Sequence, residues 1–260
     1  MESNLIKNSP KPIIVANWKM NGLLKDSSHL IKKLINILGT LNGAPYDMVI
    51  CPQFPILMQI FSEIRGTGIV LGAQDCHHEL LGAYTGNVSP MLLKEVGCNY
   101  VIIGHSERRQ NQFENDALVG SKAKAAIGSN LSAILCVGED QRDYEKGNSG
   151  KIIQKQLVAC WPENASSKNI VVAYEPIWAI GSGKVASIEH IQNIHKLIRK
   201  EISGTLNKKN SENYRIIYGG SLNDENAEEI INLPDVNGGL IGGASLNAAK
   251  FAMIANLCNK

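Results

Sequence analysis

Short runs of β-branched and other apolar residues recur along the whole chain, separated by stretches with the three- and four-residue spacing of amphipathic helices. The runs are Ile13–Asn17, Asp47–Cys51, Ile69–Ala73, Tyr100–Gly104, Ala133–Val137, Ile170–Tyr174, Arg215–Gly219 and Gly239–Gly243, eight in all. Each is nearly continuous rather than alternating, as expected of a parallel strand covered on both faces. The helix-like tracts include Ser28–Leu38, Asp116–Ile127, Gly150–Cys160, Ile188–Ile202 and Asn226–Asn232. Eight strand–helix repeats in about 250 residues are what a closed (β/α)8 barrel requires. A doubly wound open sheet is the alternative, but it seldom needs eight parallel strands at this length. No Ser/Gly/Pro-rich linker divides the chain. The expectation is one α/β domain over residues 1–260, with residues 1–12 a polar, Pro-interrupted N-terminal extension.

Composition narrows the function without defining it. The formal net charge of +2 is too mild to argue for nucleic acid or a membrane surface. No apolar stretch reaches membrane-spanning length, and the first residues lack the apolar core of a signal peptide. Six cysteines are scattered, with no C-x-x-C pair, and Cys51, Cys98, Cys136 and Cys258 sit in or beside apolar tracts. That pattern reads as reduced core thiols in a cytoplasmic protein rather than a disulfide framework or a zinc site.

Two strand ends carry the chemistry. The run into Tyr174 is followed by a lone carboxylate, Glu175, then Pro176 and the glycine-rich tract Gly181-Ser182-Gly183. A carboxylate at the end of a buried strand, beside a mobile loop, suits a general base that works out of water. The run ending at Gly104 is followed by His105, which opens a charged, helix-starting tract through Ser106, Glu107, Arg108 and Arg109. A helix N-terminus favours a neutral imidazole. Base and neutral imidazole together suggest proton abstraction beside a carbonyl.

Five segments then stand in a telling order: Asn17-Trp18-Lys19-Met20-Asn21-Gly22, Gly104 to Arg109, Ala173 to Lys184, Tyr218-Gly219-Gly220-Ser221 and Gly242-Gly243-Ala244-Ser245-Leu246. Together they resemble the signature segments of triosephosphate isomerases, over about Pro12 to Leu246. The resemblance implies a single-domain TIM barrel that interconverts dihydroxyacetone phosphate and D-glyceraldehyde 3-phosphate, in glycolysis and gluconeogenesis, as a cytoplasmic homodimer. It implies no metal and no organic cofactor. Acid/base tuning in this family is a standard case, so the roles follow from the resemblance. Glu175 is then the base, His105 the electrophile and proton shuttle, and Lys19 the cation for phosphate and enediolate. Asn17 orients Lys19 and contacts substrate, while Glu107 and Ser106 support the pair. Gly181, Ser221, Gly242 and Gly243 supply the phosphate cradle, in the loops where such barrels bind phosphate. The tract from Pro176 to Lys184 becomes a lid, and Tyr84-Thr85 the tip of a loop that enters a second subunit.

Bland readings compete with each of these. An isolated Lys19 is most often a solvated lysine, an isolated Gly-Gly a tight turn, and a strand-end Glu the partner of a structural Arg. The other histidines, His29, His77, His78, His190 and His195, read as surface or packing residues. Gly181 to Ala186 also matches a dinucleotide fingerprint, with Glu201 behind it, but too many residues separate strand from glycines for that motif. Three positions depart from the family pattern: Asn87 replaces an acidic residue beside the dimer loop, Val185 a threonine at the lid's end, and Leu222 a valine after Ser221. Another phosphate-binding barrel enzyme and a catalytically silent binding barrel remain as rivals on the sequence alone.

Overall fold

The computed structural model describes residues 10–181, 184–206 and 208–258, so Ser182, Gly183 and most of the N-terminal extension lie outside the described residues. Its strands are β1 (Ile13–Asn17), β2 (Asp47–Cys51), β3 (Val70–Ala73), β4 (Tyr100–Ile103), β5 (Ser132–Val137), β6 (Ile170–Tyr174), β7 (Arg215–Tyr218) and β8 (Gly238–Ile241). They pair in chain order, all parallel, and β8 closes on β1 to complete a single-domain TIM barrel. Around them run α1 (Leu24–Leu38), α2 (Leu57–Ile64), α3 (Pro90–Glu95), α4 (Ser106–Asn111), α5 (Asp116–Gly128), α6 (Gln141–Glu145), α7 (Ser149–Cys160), α8 (Ile188–Ser203), α9 (Ala227–Ile231) and α10 (Ala248–Asn256).

The continuity of the apolar runs has a direct cause. Alternate residues of each strand face two different interiors. Ile13, Val15, Val49, Cys51, Ile102, Ile134, Cys136, Val171, Ala173, Ile217 and Leu240 fill the barrel itself. Their neighbours, such as Ile14, Ala16, Ile50, Ile103, Leu135 and Val172, pack outward under the helices. Helix α8 shows the matching pattern, burying Ile191, Ile194, His195, Ile198 and Ile202 at helical spacing, with the Ser187 side chain capping its start. All six cysteines are buried.

Five helices correspond to the sequence tracts, with boundaries moved by up to four residues. The others, α2, α3, α6 and α10, were not separate helices in the sequence reading, and of α4 only the start at Ser106, behind His105 as cap, was read there. Three of them, α3, α4 and α6, are six residues or fewer, too short to form without tertiary support.

Candidate active site

The inward rung of the barrel continues past the strand ends, and that places the site. On β1, residues 13 and 15 point inward, and Asn17 follows with the same parity; on β6, residues 171 and 173 lead to Glu175. His105 is out of step, because Gly104 takes a left-handed φ of +68° and turns the chain. A Cβ at Gly104 would stand 2.7 Å from Val119 Cγ1, so glycine is needed there for space as well as for backbone angle. Lys19 also has a positive φ, 53°, an uncommon conformation for a non-glycine residue and one concentrated at functional sites. Its backbone N–H is held by Asn17 Oδ1 at 3.0 Å.

Glu175 is 1 % exposed and His105 6 %. Glu175 Oε2 accepts the Ser106 N–H at 2.8 Å, and Oε1 lies 3.0 Å from His105 Nε2. Burial alone would raise the Glu175 carboxyl, but the His105 imidazole and the Ser106 donors outweigh it and hold it below the ordinary range. Burial likewise opposes a charged His105, and the Glu175 and Glu107 carboxylates overcome it, pushing its pKa up. The helix terminus therefore does not by itself set the ring's charge. Its effect is visible at Nδ1, which accepts the Glu107 N–H at 3.2 Å as the cap of α4. A lone pair at Nδ1 leaves the proton on Nε2, facing Glu175.

Lys19 Nζ reaches Glu107 Oε1 at 2.7 Å. The ammonium stands beside a cavity of about 270 Å³ lined by Asn17, Lys19, His105, Gly181, Ser221, Gly242 and Gly243 among others. A Cβ on Gly242 would approach Lys19 Cε to 3.1 Å, so the glycine lets backbone and cation share one wall. Ser221 Oγ donates to the Ala179 carbonyl, tying the loop after β7 to the short turn Ile177–Ala179 that begins the Pro176–Lys184 tract. Every candidate of the catalytic and cradle sets thus faces or adjoins this mouth except Glu175, which sits behind His105 instead of lining the cavity. Tyr84 and Thr85 lie apart on an exposed turn, where Tyr84 packs on His77 with ring centroids 4.4 Å apart and Asn87 Nδ2 donates to the Tyr84 carbonyl.

Two participants escaped the sequence reading. Gln74, directly after β3, donates its amide to the carbonyls of Lys19 (2.8 Å) and Cys51 (3.0 Å) and so fixes the strained turn. Glu139, two residues after β5, is buried and accepts from the Tyr174 hydroxyl at 3.0 Å and the Trp178 indole at 2.9 Å. Both had the signal that singled out Glu175, a polar residue just past a buried strand.

A family model described as triosephosphate isomerase matches residues 12–258. The triosephosphate isomerase of Chlorobium luteolum is 46 % identical over 244 residues, covering 94 % of this chain and 97 % of its own length. That of Prosthecochloris aestuarii is 44 % identical over 250 residues, 96 % of this chain and 99 % of its own. The crystal structure of triosephosphate isomerase from Bartonella henselae superposes with a TM-score of 0.87 at 35 % identity, over 96 % of this chain and 100 % of that one. Barrel, strand-end residues and near-complete matches converge: the chain belongs to the triosephosphate isomerase family.

Proposed function

We infer that Glu175, His105, Lys19 and Asn17 carry the reaction of this isomerase, the interconversion of dihydroxyacetone phosphate and D-glyceraldehyde 3-phosphate through an enediolate. The observation that bears most weight is the Glu175–His105 contact of 3.0 Å, directly behind the His105 wall of the cavity of about 270 Å³. Carboxylate and imidazole are the two groups that a proton transfer beside a carbonyl needs. Glu175 removes the carbon-bound proton. The Nε2–H of His105 polarises the carbonyl oxygen and then passes protons between the two oxygens. Lys19 stabilises the same oxyanion and the phosphate. In the arrangement described, Glu175 faces His105, so substrate must separate the two, and the carboxylate swings to the substrate carbon as the lid moves. Gly181, Ser221, Gly242 and Gly243 hold the phosphate through backbone and hydroxyl donors. The lid excludes water while the enediolate exists. Both proton transfers are made by side chains, so the mechanism calls on no cofactor.

A homodimer in the cytoplasm belongs to the same reading. A second cavity of about 270 Å³, lined by Lys19, Met20, Gln74, His105, Glu107 and Arg108 among others, opens beside the first. Met20 at its edge is 88 % exposed, and the Tyr84-Thr85 tip of a second copy is the occupant we assign to it. Activity is tested by a coupled assay with glyceraldehyde 3-phosphate. The site is tested by calorimetry with a two-carbon phosphate carboxylate (2-phosphoglycolate) against glycolate. The phosphorylated compound should bind far more tightly, and equal affinities would refute the phosphate cradle.

A further inference from the structure

The start of the lid rests on a buried cluster outside the substrate cavity. Glu139 holds the lid twice: its carbonyl accepts the Ile177 N–H at 3.0 Å, and its Oε1 accepts the Trp178 indole at 2.9 Å. The same Oε1 takes the Tyr174 hydroxyl at 3.0 Å, while Oε2 has no hydrogen bond. Tyr144 of α6 stacks on Trp178 with centroids 4.0 Å apart and 23° between planes. His190, in the first turn of α8, completes the cluster. Its Nε2 lies 2.9 Å from the Tyr174 hydroxyl and 3.4 Å from Glu139 Oε1, and its ring meets Tyr144 edge-on at 5.1 Å.

Counting protons fixes the direction of these bonds. A carboxylate can only accept, so the Tyr174 hydroxyl spends its single proton on Glu139. Burial, with Glu139 alongside, pushes the Tyr174 phenol up, so that proton stays on the oxygen. His190 Nε2 must therefore donate to Tyr174. The chain of bonds runs from His190 to Tyr174 to Glu139, where the Trp178 indole arrives from the other side. We propose that His190 is a positioning residue of the lid. Its Nε2–H seats Tyr174 on Glu139 and so fixes Trp178. Protonation of the ring draws the Glu139 carboxylate toward the imidazolium and away from the indole, making lid movement in this chain depend on pH.

Titratable groups face His190 from each neighbouring element. Glu139 faces it from the loop after β5, Tyr174 from β6 and Tyr144 from α6, with Glu189 exposed beside it on its own helix. Lys184 on the lid reaches Gln141 of α6. His195, one turn further along α8, packs edge-on against Tyr174 at 5.9 Å, but burial holds it down at about 4. The His190 side chain keeps 19 % exposure, through which a proton can arrive.

The inference rests on reading Pro176–Lys184 as a lid, so the test has two independent readouts. Wild type, His190→Gln and His190→Ala are compared in the coupled assay from about pH 5.5 to 9, and each is labelled with 5-fluorotryptophan, the Trp178 resonance being assigned with Trp178→Phe. Glutamine can still donate to Tyr174 but cannot titrate. Relative to His190→Gln, wild-type kcat/KM should fall roughly five- to tenfold between about pH 8 and 6, the scale of turning a neutral hydrogen bond into a charge-assisted one. His190→Ala should lower kcat and raise KM together at every pH, as expected when a lid loses its anchor. The Trp178 resonance should titrate in wild type and stay fixed in His190→Gln. A resonance that ignores pH in wild type overturns the proposal whatever the kinetics. A titrating resonance over superimposable kinetic profiles overturns it too, and places the fault in the lid reading instead of the bond chain.

Discussion

Replacing Gly138 with alanine measures how rigidly the barrel fixes its base. A Cβ on Gly138 would stand 1.7 Å from the carbonyl oxygen of Glu175 and 2.7 Å from its carbonyl carbon. Carbon and carbonyl oxygen ordinarily approach to about 3.3 Å, so the two chains must part by roughly 1.5 Å. Neither yields easily. The Gly138 N–H and carbonyl are both held by the Gln156 amide, at 2.8 and 3.0 Å, and the Glu175 N–H by the Val137 carbonyl at 2.8 Å. Beyond Glu175 stands Gly219, whose own Cβ would lie 2.9 Å from Glu175 Cγ. Overpacking commonly costs about 1–3 kcal/mol. Here the obstacle is main chain, so about 3 kcal/mol applies, equivalent to a Tm lower by roughly 6–12 °C for a domain of this size. Moving a reacting group by about 1 Å can cost 10²-fold, and kcat should fall at least that far. Affinity for 2-phosphoglycolate should change only a few-fold, because Ser221, Gly242 and Gly243 are untouched. Gly128→Ala at the end of α5, with nothing within 4 Å of the added carbon, is the control and should be neutral or slightly stabilising. A Gly138→Ala enzyme with kcat within threefold of wild type and an unchanged Tm would refute the reasoning.

Three further outcomes are expected. Glu175→Asp retracts the carboxylate by one methylene, so steady-state turnover should drop about 10²-fold with KM within a few-fold; unchanged turnover would remove Glu175 as the base. Thr85→Glu at the exposed loop tip should split the proposed homodimer and lower activity, and a fully active monomer by light scattering would refute the interface. His195 is sealed by burial and titrates at about 4, so it stabilises the fold above its unfolded value of about 6.5. That stability drains away as pH falls toward 4, by up to about 1.4 kcal/mol per pH unit. His195→Gln should flatten the acid limb of a Tm-against-pH curve, and parallel limbs would exclude His195 as the source.

The eight strands were legible because a barrel strand buries both faces, and a continuous apolar run such as Val171-Val172-Ala173 leaves little choice. Asn17, His105 and Glu175 were legible for a related reason, each being polar where an apolar run stops. Helix α6 was not, since five polar-rich residues have no periodicity to read, and for α4 only the start at Ser106 was; both exist through what they touch, α4 through Arg109 Nη1 on Asp116 at 2.7 Å and α6 through Tyr144 on Trp178. Nothing in its own segment marks Gly138, and only the neighbouring strand explains it. His190 read as surface or packing because nothing in its own segment hints at Tyr174 or Glu139, which lie 16 and 51 positions away in the numbering (190 − 174 and 190 − 139). Local pattern names the residues at strand ends, whereas partners brought across the barrel have to be seen.

The paired charges at the rim, buried except for the half-buried Arg108, show what such partners accomplish. Arg108, one turn after His105, binds Asp75 at 2.9 Å and Glu114 at 2.6 Å, and Lys122 of α5 binds the same two carboxylates at 2.8 and 2.6 Å. Two cations and two anions balance, yet burial raises Asp75 even against Lys122 and Arg108. Desolvation therefore outweighs attraction at that carboxyl, and the cluster is a poor source of net stability. Its value is geometric. Helix α4 spans only Ser106–Asn111, too few residues to hold a shape alone, and it carries both His105 at its cap and Glu107 opposite Lys19. Tying Arg108 to the loops after β3 and before α5 fixes that helix from two directions, and with it the imidazole that must face the substrate carbonyl. Substituting Arg108 should accordingly move the chemistry as well as the stability, because the charge it neutralises and the helix it anchors belong to one device.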